Sequence, residues 1–294
     1  MSSDIARSFR PAGRHTGPVK VAANSEYGRL RAVLLARCHP SSAHESPEGV
    51  ADQEADELDY EIISEQQAYF ELVLKQHGVA VYWLDPISGR PHQIYARDVA
   101  TVIGDSFVVC SPRPERMPEM PRVRDFAERI QGHKLYAPHG LVEGGDLLLD
   151  VDTLYVGLGR ATDLNGLKWL QRNLGDKVQV VPVPFAPEYG HLDMVFNILG
   201  REALIYPPAF EDRAVSELKA RYNLLEVTPI EQFALGANVL ALSPGVVISD
   251  RRQRRINSLL LEKGYQVVEL ECREIAKMKG LFRCMACPLE RDAI

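Results

Sequence analysis

The chain has 294 residues, 46% of them apolar, with 34 Lys and Arg against 40 Asp and Glu for a formal charge of −6. These values exclude a disordered chain, which would be poorer in apolar residues and more strongly charged. They also argue against nucleic acid or an anionic membrane surface as the main partner, and no run approaches the ~20 apolar residues of a membrane helix.

Residues 1–22 carry Arg7, Arg10, Arg14 and Lys20 but no apolar core of a secretory signal. We read residues 1–27 as a flexible N-terminal tail of a cytoplasmic protein, and 28–294 as a single catalytic domain. In that setting the five cysteines, Cys38, Cys110, Cys272, Cys284 and Cys287, stay reduced and matter through reactivity.

From Gly28 onward one pattern recurs. The first unit, Gly28–Pro86, has a strand at Leu30–Ala36, a long insert, a helix at Asp59–His77 and a strand at Val79–Leu84. The second runs Val99–Ile103, Ser106–Cys110, helix Arg122–Gln131 and strand Lys134–Tyr136. The third has Leu147–Leu149, Thr153–Gly157, helix Asp163–Asn173 and Val178–Val183. The fourth has Met194–Leu199, Glu202–Tyr206, helix Phe210–Tyr222 and Leu224–Val227. The fifth has Asn238–Leu242, a Ser243-Pro-Gly245 turn, Val246–Ile248, a helix with Ile256, Leu259 and Leu260 on one face, and Gln266–Leu270. Such ββαβ units cannot bury their helix faces alone and must pack on their neighbours. Set around one axis they make an α/β, five-fold pseudosymmetric ββαβ propeller.

Polar residues fall at one phase of these units: Tyr95-Ala-Arg97-Asp98, Glu143-Gly-Gly-Asp146, His191-Leu-Asp193 and Asn238, with Gly280-Leu-Phe-Arg-Cys284 after the last strand. Around an axis they converge at one end. Taken singly, Glu-Gly-Gly-Asp reads as a turn needing positive φ. His191 and Asp193 share a face if they lie on a strand, as a catalytic pair or as a structural hydrogen bond. Cys284-Met-Ala-Cys287 lacks a second Cys pair or a Cys/His grouping at zinc spacing, so no metal is expected.

Taken together the set has a chemistry. Buried carboxylates repel one another unless a cation lies between them. A guanidinium is planar and cationic, with five donors that match paired carboxylates. A thiolate facing its central carbon is a nucleophile, a His gives the departing amine its proton, and the bound cation favours the thiolate.

On these residues the chain resembles the guanidino-group-modifying superfamily of the pentein fold: arginine deiminases, dimethylargininases and amidinotransferases. The matching motifs are Arg97-Asp98, Glu143-Gly144-Gly145-Asp146, His191-Leu192-Asp193 and the Gly280-to-Cys284 stretch. The resemblance implies Cys284 as nucleophile, His191 as acid and base, Glu143 orienting the His or the substrate, and Asp98 and Asp193 holding the guanidinium. Arg97, Asp146, Asn238, Arg160 and Arg283 complete the candidate substrate contacts. The Glu-Gly-Gly-Asp looks like the hydrolases. The stretches Thr162–Leu170 and His191–Ile198 and the Cys284-x-x-Cys287 ending look like amidinotransferases. Two departures bear on substrate. Where hydrolases tend to carry Gly-x-Ser-x-Arg-Thr, this chain has Gly157-Leu-Gly-Arg160-Ala161-Thr162, and Arg283 stands where many relatives have His before the Cys. Both argue against free L-arginine.

The resulting expectation is a hydrolase that cleaves a C–N bond of a small cationic guanidine through a covalent intermediate on Cys284. The alternative is an amidinotransferase passing the amidino group to an acceptor amine. Neither needs a cofactor, and homo-oligomer formation is left open.

Overall fold

The computed structural model describes residues 17–38, 58–137 and 140–294. Among them, five three-stranded sheets repeat one topology: a first strand antiparallel to a central strand, and a third strand parallel to the central one. In the second to fifth units the central strands are Ser106–Val109, Thr153–Leu158, Glu202–Ile205 and Val246–Asp250. Each pairs with its own hairpin partner and with the strand beyond the helix. The expected repeat is therefore present, on an α/β fold. The sheets remain separate, with no closed hydrogen-bonded barrel among the described residues.

The first unit is completed from a distance. Its central strand Leu30–Ala36 runs parallel to Ala80–Leu84, and its antiparallel neighbour is Cys287–Arg291 at the far end of the chain. The turn carrying Cys284 thus enters the first strand of the first sheet.

Local chemistry explains the helices. Tyr60–Gln76 starts at Asp59, whose carboxylate accepts from Glu61 N at 3.0 Å and Ile62 N at 3.1 Å, satisfying amides that otherwise lack partners. It buries Ile63, Phe70, Val73 and Leu74, at helical spacing. The Phe70 ring packs on Phe282, centroids 5.6 Å apart, which anchors the turn holding Cys284 to this helix. Each such large apolar side chain contributes roughly 1.5–3 kcal/mol when fully buried. Asp163 caps Leu164–Leu174 by accepting from Gly166 N at 2.8 Å.

Two boundaries differ from expectation. The helix of the second unit is Met120–Ala127, and Ile130–Gln131 is instead a strand parallel to Val19–Lys20. The proposed tail is thereby corrected in part. Residues 19–26 are bound across the fold: Ala23 bridges Gly104, Ser25 bridges Asp150, and Glu26 is buried. Residues 1–16 of that tail, and residues 39–57 of the first unit's insert, lie outside the described residues.

Candidate active site

Every candidate polar residue but Arg160 sits in, or directly before, a helical turn or tight bend that leads into the first strand of its sheet. Arg97 and Asp98 lie in Ala96–Val99, before Ala100–Ile103. Glu143 precedes the turn Gly144–Asp146, and His191 precedes Leu192–Met194. Asn238 precedes Leu240–Ser243, and Cys284 lies in Phe282–Met285, before Cys287–Arg291. His191 and Asp193 are therefore not on a strand, and the turn rather than strand alternation brings both inward.

The paired glycines also act differently from expectation. Neither Gly144 nor Gly145 has positive φ. A Cβ on Gly144 would stand 2.1 Å from Arg97 O, and one on Gly145 would stand 2.7 Å from His191 Cγ and 3.0 Å from Asp98 Oδ1. Absence of a side chain is what lets this turn press against the two neighbouring site elements.

Cys284 is buried, and Asn238 wraps it. Asn238 Nδ2 lies 3.0 Å from Cys284 Sγ, while its Oδ1 accepts from Cys284 N at 3.3 Å and Leu281 N at 3.2 Å. Asn238, a candidate substrate contact, instead clamps the Cys284 turn. Asp193 Oδ2 stands 3.6 Å from the same sulfur. Burial, reinforced by the negative charges of Asp193 and Asp98, pushes the Cys284 thiol well above its ordinary range, so the resting thiol is protonated.

His191 lies between two carboxylates. Its Nε2 is 2.6 Å from Glu143 Oε2 and its Nδ1 is 3.8 Å from Asp98 Oδ1. Burial alone would lower the imidazole, but the Asp98 charge and the Glu143 hydrogen bond outweigh it and raise it to about 10. Burial pushes Glu143 up, yet its bonds to His191 and Arg113 hold it at about 2. The pair therefore rests as imidazolium and carboxylate. The ligand atoms of Asp98, Glu143 and His191 lie within 4.8 Å of one another, close enough to share a metal ion. The short His191–Glu143 contact turns two of those atoms toward each other instead.

Asp98 Oδ2 accepts from Arg116 Nη1 at 2.9 Å, whereas its Oδ1 is buried with no hydrogen-bond partner. An unsatisfied buried carboxylate oxygen is costly, and a cationic donor would relieve it. Asp146 accepts from Leu192 N at 2.9 Å, so it shapes the His191 turn. Burial raises it to about 7.

Two of the candidate arginine contacts are engaged otherwise, and the third lies on the surface. Arg97 donates to Gly144 O, Leu147 O and Glu26. Arg283 is fully buried against Asp193 Oδ2 at 2.6 Å and Leu147 O at 2.9 Å. Both guanidiniums tie motifs together from within. Arg160 is exposed on the loop beside a groove of about 370 Å³ lined by Leu158, Thr162, Asp163, Leu164 and Phe185. Cys287 is buried in its strand, its thiol raised to about 12 by burial.

Sequence reasoning missed Arg113 and Arg116, which lie on one Pro-containing segment. Arg113 gives both its backbone N and its Nε to Glu143 Oε1, each at 2.9 Å, and Arg116 joins Asp98 to Glu119. Tyr95, which opens the Arg97-Asp98 motif, has its hydroxyl 3.1 Å from Ile275 O and 3.2 Å from Gly280 O as a shared donor to both, bracing the approach to Cys284. Two arginines in six residues, Ser111-Pro-Arg113-Pro-Glu115-Arg116, were the visible signal.

The arginine deiminase family model matches residues 117–223 and 219–291. The chain belongs to this family. The uncharacterized protein YkgA of Bacillus subtilis (strain 168) is 34% identical over 281 residues, covering 92% of this chain and 96% of that protein. The arginine deiminase of Bacillus cytotoxicus is 26% identical over 292 residues, covering 80% of this chain and 69% of the deiminase. The inosamine-phosphate amidinotransferase of Streptomyces griseus superposes with a TM-score of 0.78 at 17% identity, covering 94% of this chain and 98% of that one. Deiminase-family membership and this shared architecture place the chain in the guanidino-group-modifying pentein superfamily, as its motifs implied. No helix among the described residues is long and apolar enough to cross a membrane.

Proposed function

We propose that this chain is a hydrolase that removes an amine from a small cationic guanidine, using Cys284 as nucleophile within one catalytic domain and in a cytoplasmic setting. The observation that carries the reading is the pairing of Cys284 Sγ, 3.6 Å from Asp193, with a buried Asp98 oxygen that lacks a donor. A guanidinium bridging Asp98 and Asp193 supplies that donor and puts positive charge beside the sulfur. The thiol then loses its proton to solvent more readily, and the thiolate sulfur bonds to the guanidino carbon as the C=N electron pair moves onto nitrogen. His191, resting protonated, gives its proton to the leaving nitrogen as the C–N bond breaks. The product is an amidino-thioether on Cys284 with its formal positive charge still on the amidino group. His191, now neutral, takes a proton from water as the water oxygen bonds to the same carbon. The C–S bond then breaks, the departing thiolate takes the hydroxyl proton of the adduct, and a neutral urea-type product leaves with the Cys284 thiol and the His191 imidazolium restored.

A second reading, amidino transfer to an acceptor amine, is supported by the amidinotransferase-like stretches Thr162–Leu170 and His191–Ile198 and by the Streptomyces fold likeness. Glu143-Gly-Gly-Asp146 favours hydrolysis. Ala161 in place of an arginine favours a substrate whose far end carries no carboxylate. A panel of guanidines with and without an α-carboxylate, assayed for released amine and urea-type product with and without an acceptor amine, tests both readings. Amine release that requires the acceptor would establish transfer, and no release from any guanidine would refute both.

A further inference from the structure

The buried charges beside the reacting sulfur extend past the motifs to Glu26. Its Oε1 accepts from Arg97 Nη2 at 2.8 Å and Leu149 N at 3.1 Å, and faces Arg283 Nη2 at 3.2 Å. Arg97 Nε also holds Gly144 O at 3.2 Å, and Arg283 Nη2 holds Leu147 O at 2.9 Å. From Arg283 the chain of contacts continues through Nη1 to Asp193 Oδ2 at 2.6 Å, and that oxygen is 3.6 Å from Cys284 Sγ. One carboxylate outside every sequence motif thus touches groups from all the sheets that deliver Arg97, the Glu-Gly-Gly-Asp turn and the Cys284 turn.

The electrostatics of this chain have a definite sign. Arg283 is one cation shared by two carboxylates, Glu26 and Asp193. The more of its charge Glu26 balances, the more negative Asp193 remains toward a ligand and toward the sulfur. We propose that Glu26 is a positioning residue that holds Arg283 shared between itself and Asp193, so that Asp193 keeps its charge for a cationic substrate and Cys284 keeps its proton until that substrate arrives. The substrate half rests on the guanidine reading; the thiol half does not. Burial pushes Glu26 up, but Arg283, Arg97 and Arg291 outweigh it and hold it at about 2, so it carries its charge throughout the working pH range. The groups facing the thiol are Asp193, Asp98, Asn238, Arg283 and Tyr95, and of these Glu26 contacts Arg283.

Glu26→Gln in the full chain removes the charge and keeps the shape. Arg283 then belongs to Asp193 alone. KM for the best guanidine should rise about tenfold, equivalent to about 1.4 kcal/mol. The pH midpoint for alkylation of Cys284 by iodoacetamide, followed by peptide mass spectrometry, should fall by about one unit. These movements in opposite senses separate the proposal from a merely structural role, which would lower Tm and leave both readouts in place. In an Arg283→Met background the same substitution should change neither readout further, because the coupling runs through that side chain. If Glu26→Gln does not fold, Glu26→Asp, which withdraws the charge by one methylene, should move both readouts the same way by a smaller factor. An unchanged alkylation midpoint, or an undiminished effect without Arg283, overturns the proposal. Absence of any guanidine turnover would sink the substrate reading while the alkylation profile still decides the role of Glu26.

Discussion

Asp98→Asn removes one charge and little else. Oδ1 faces His191 Nδ1 at 3.8 Å but accepts no hydrogen bond within the protein, so its expected donor is the substrate cation. Two unit charges about 4 Å apart at an effective dielectric near 20 interact by about 4 kcal/mol. An Asn oxygen still accepts a hydrogen bond, so the net loss is about 3 kcal/mol, or more than a hundredfold in kcat/KM. The same substitution acts on both reacting groups. His191 loses the strongest of the charges that raise it, and the Cys284 thiol loses one of the two that push it up. Asp98→Asn should therefore alkylate faster with iodoacetamide at neutral pH while turning over substrate far more slowly. Steady-state kinetics and alkylation rates on one preparation measure both. A kcat/KM within tenfold of the unaltered protein would refute the assignment of Asp98 to the guanidinium.

Cys284→Ser should abolish turnover and Cys287→Ser should leave most of it, because only Cys284 faces Asp193 and Asn238; equal losses in the amine-release assay would mean the nucleophile is misassigned. His191→Ala should bind substrate in calorimetry yet turn over only a trace, since expelling an unprotonated amine is prohibitive. Arg160→Ala should change KM less than threefold for a guanidine without an α-carboxylate, and a large loss confined to carboxylate-bearing substrates would show that this exposed side chain reaches them. Stability should fall on both sides of neutrality. Glu26 and Glu143, lowered from 4.5 to about 2, contribute stability that is present above pH 4.5 and is lost as pH falls toward 2. His191, raised from 6.5 to about 10, contributes stability that is present below pH 6.5 and is lost as pH rises toward 10. Urea denaturation midpoints across pH 2–10, with His191→Gln flattening the alkaline limb, check this.

Helix positions were legible where a cap and an apolar stripe coincide. Asp59 with Ile63, Phe70 and Leu74, and Asp163 with Leu167, Leu170 and Leu174, mark their helices within a residue or two. In the second unit the helical stripe extends to Ile130 because that residue is apolar and in phase, while its actual partner is Val19, more than a hundred residues away. No local period reports such a pairing. The buried state of Glu26 was hidden for the same reason.

The order of apolar runs, caps and turns determined five sheet-helix units, and the placement of Asp98, Glu143, His191, Asn238 and Cys284 at one phase determined that they would meet. These are local properties, written in periods of two and 3.6 residues. Only the tertiary structure decided what each side chain does there. It put Cys287–Arg291 beside Leu30–Ala36, so the Cys284 turn enters the first sheet. It spent Arg97 and Arg283 on internal carbonyls and carboxylates, and it brought Arg113 and Arg116 to Glu143 and Asp98. A long charged side chain has the same identity on a surface, at a substrate or inside a salt bridge. Which of these it occupies depends on groups distant in the chain, and folding alone brings those groups within reach.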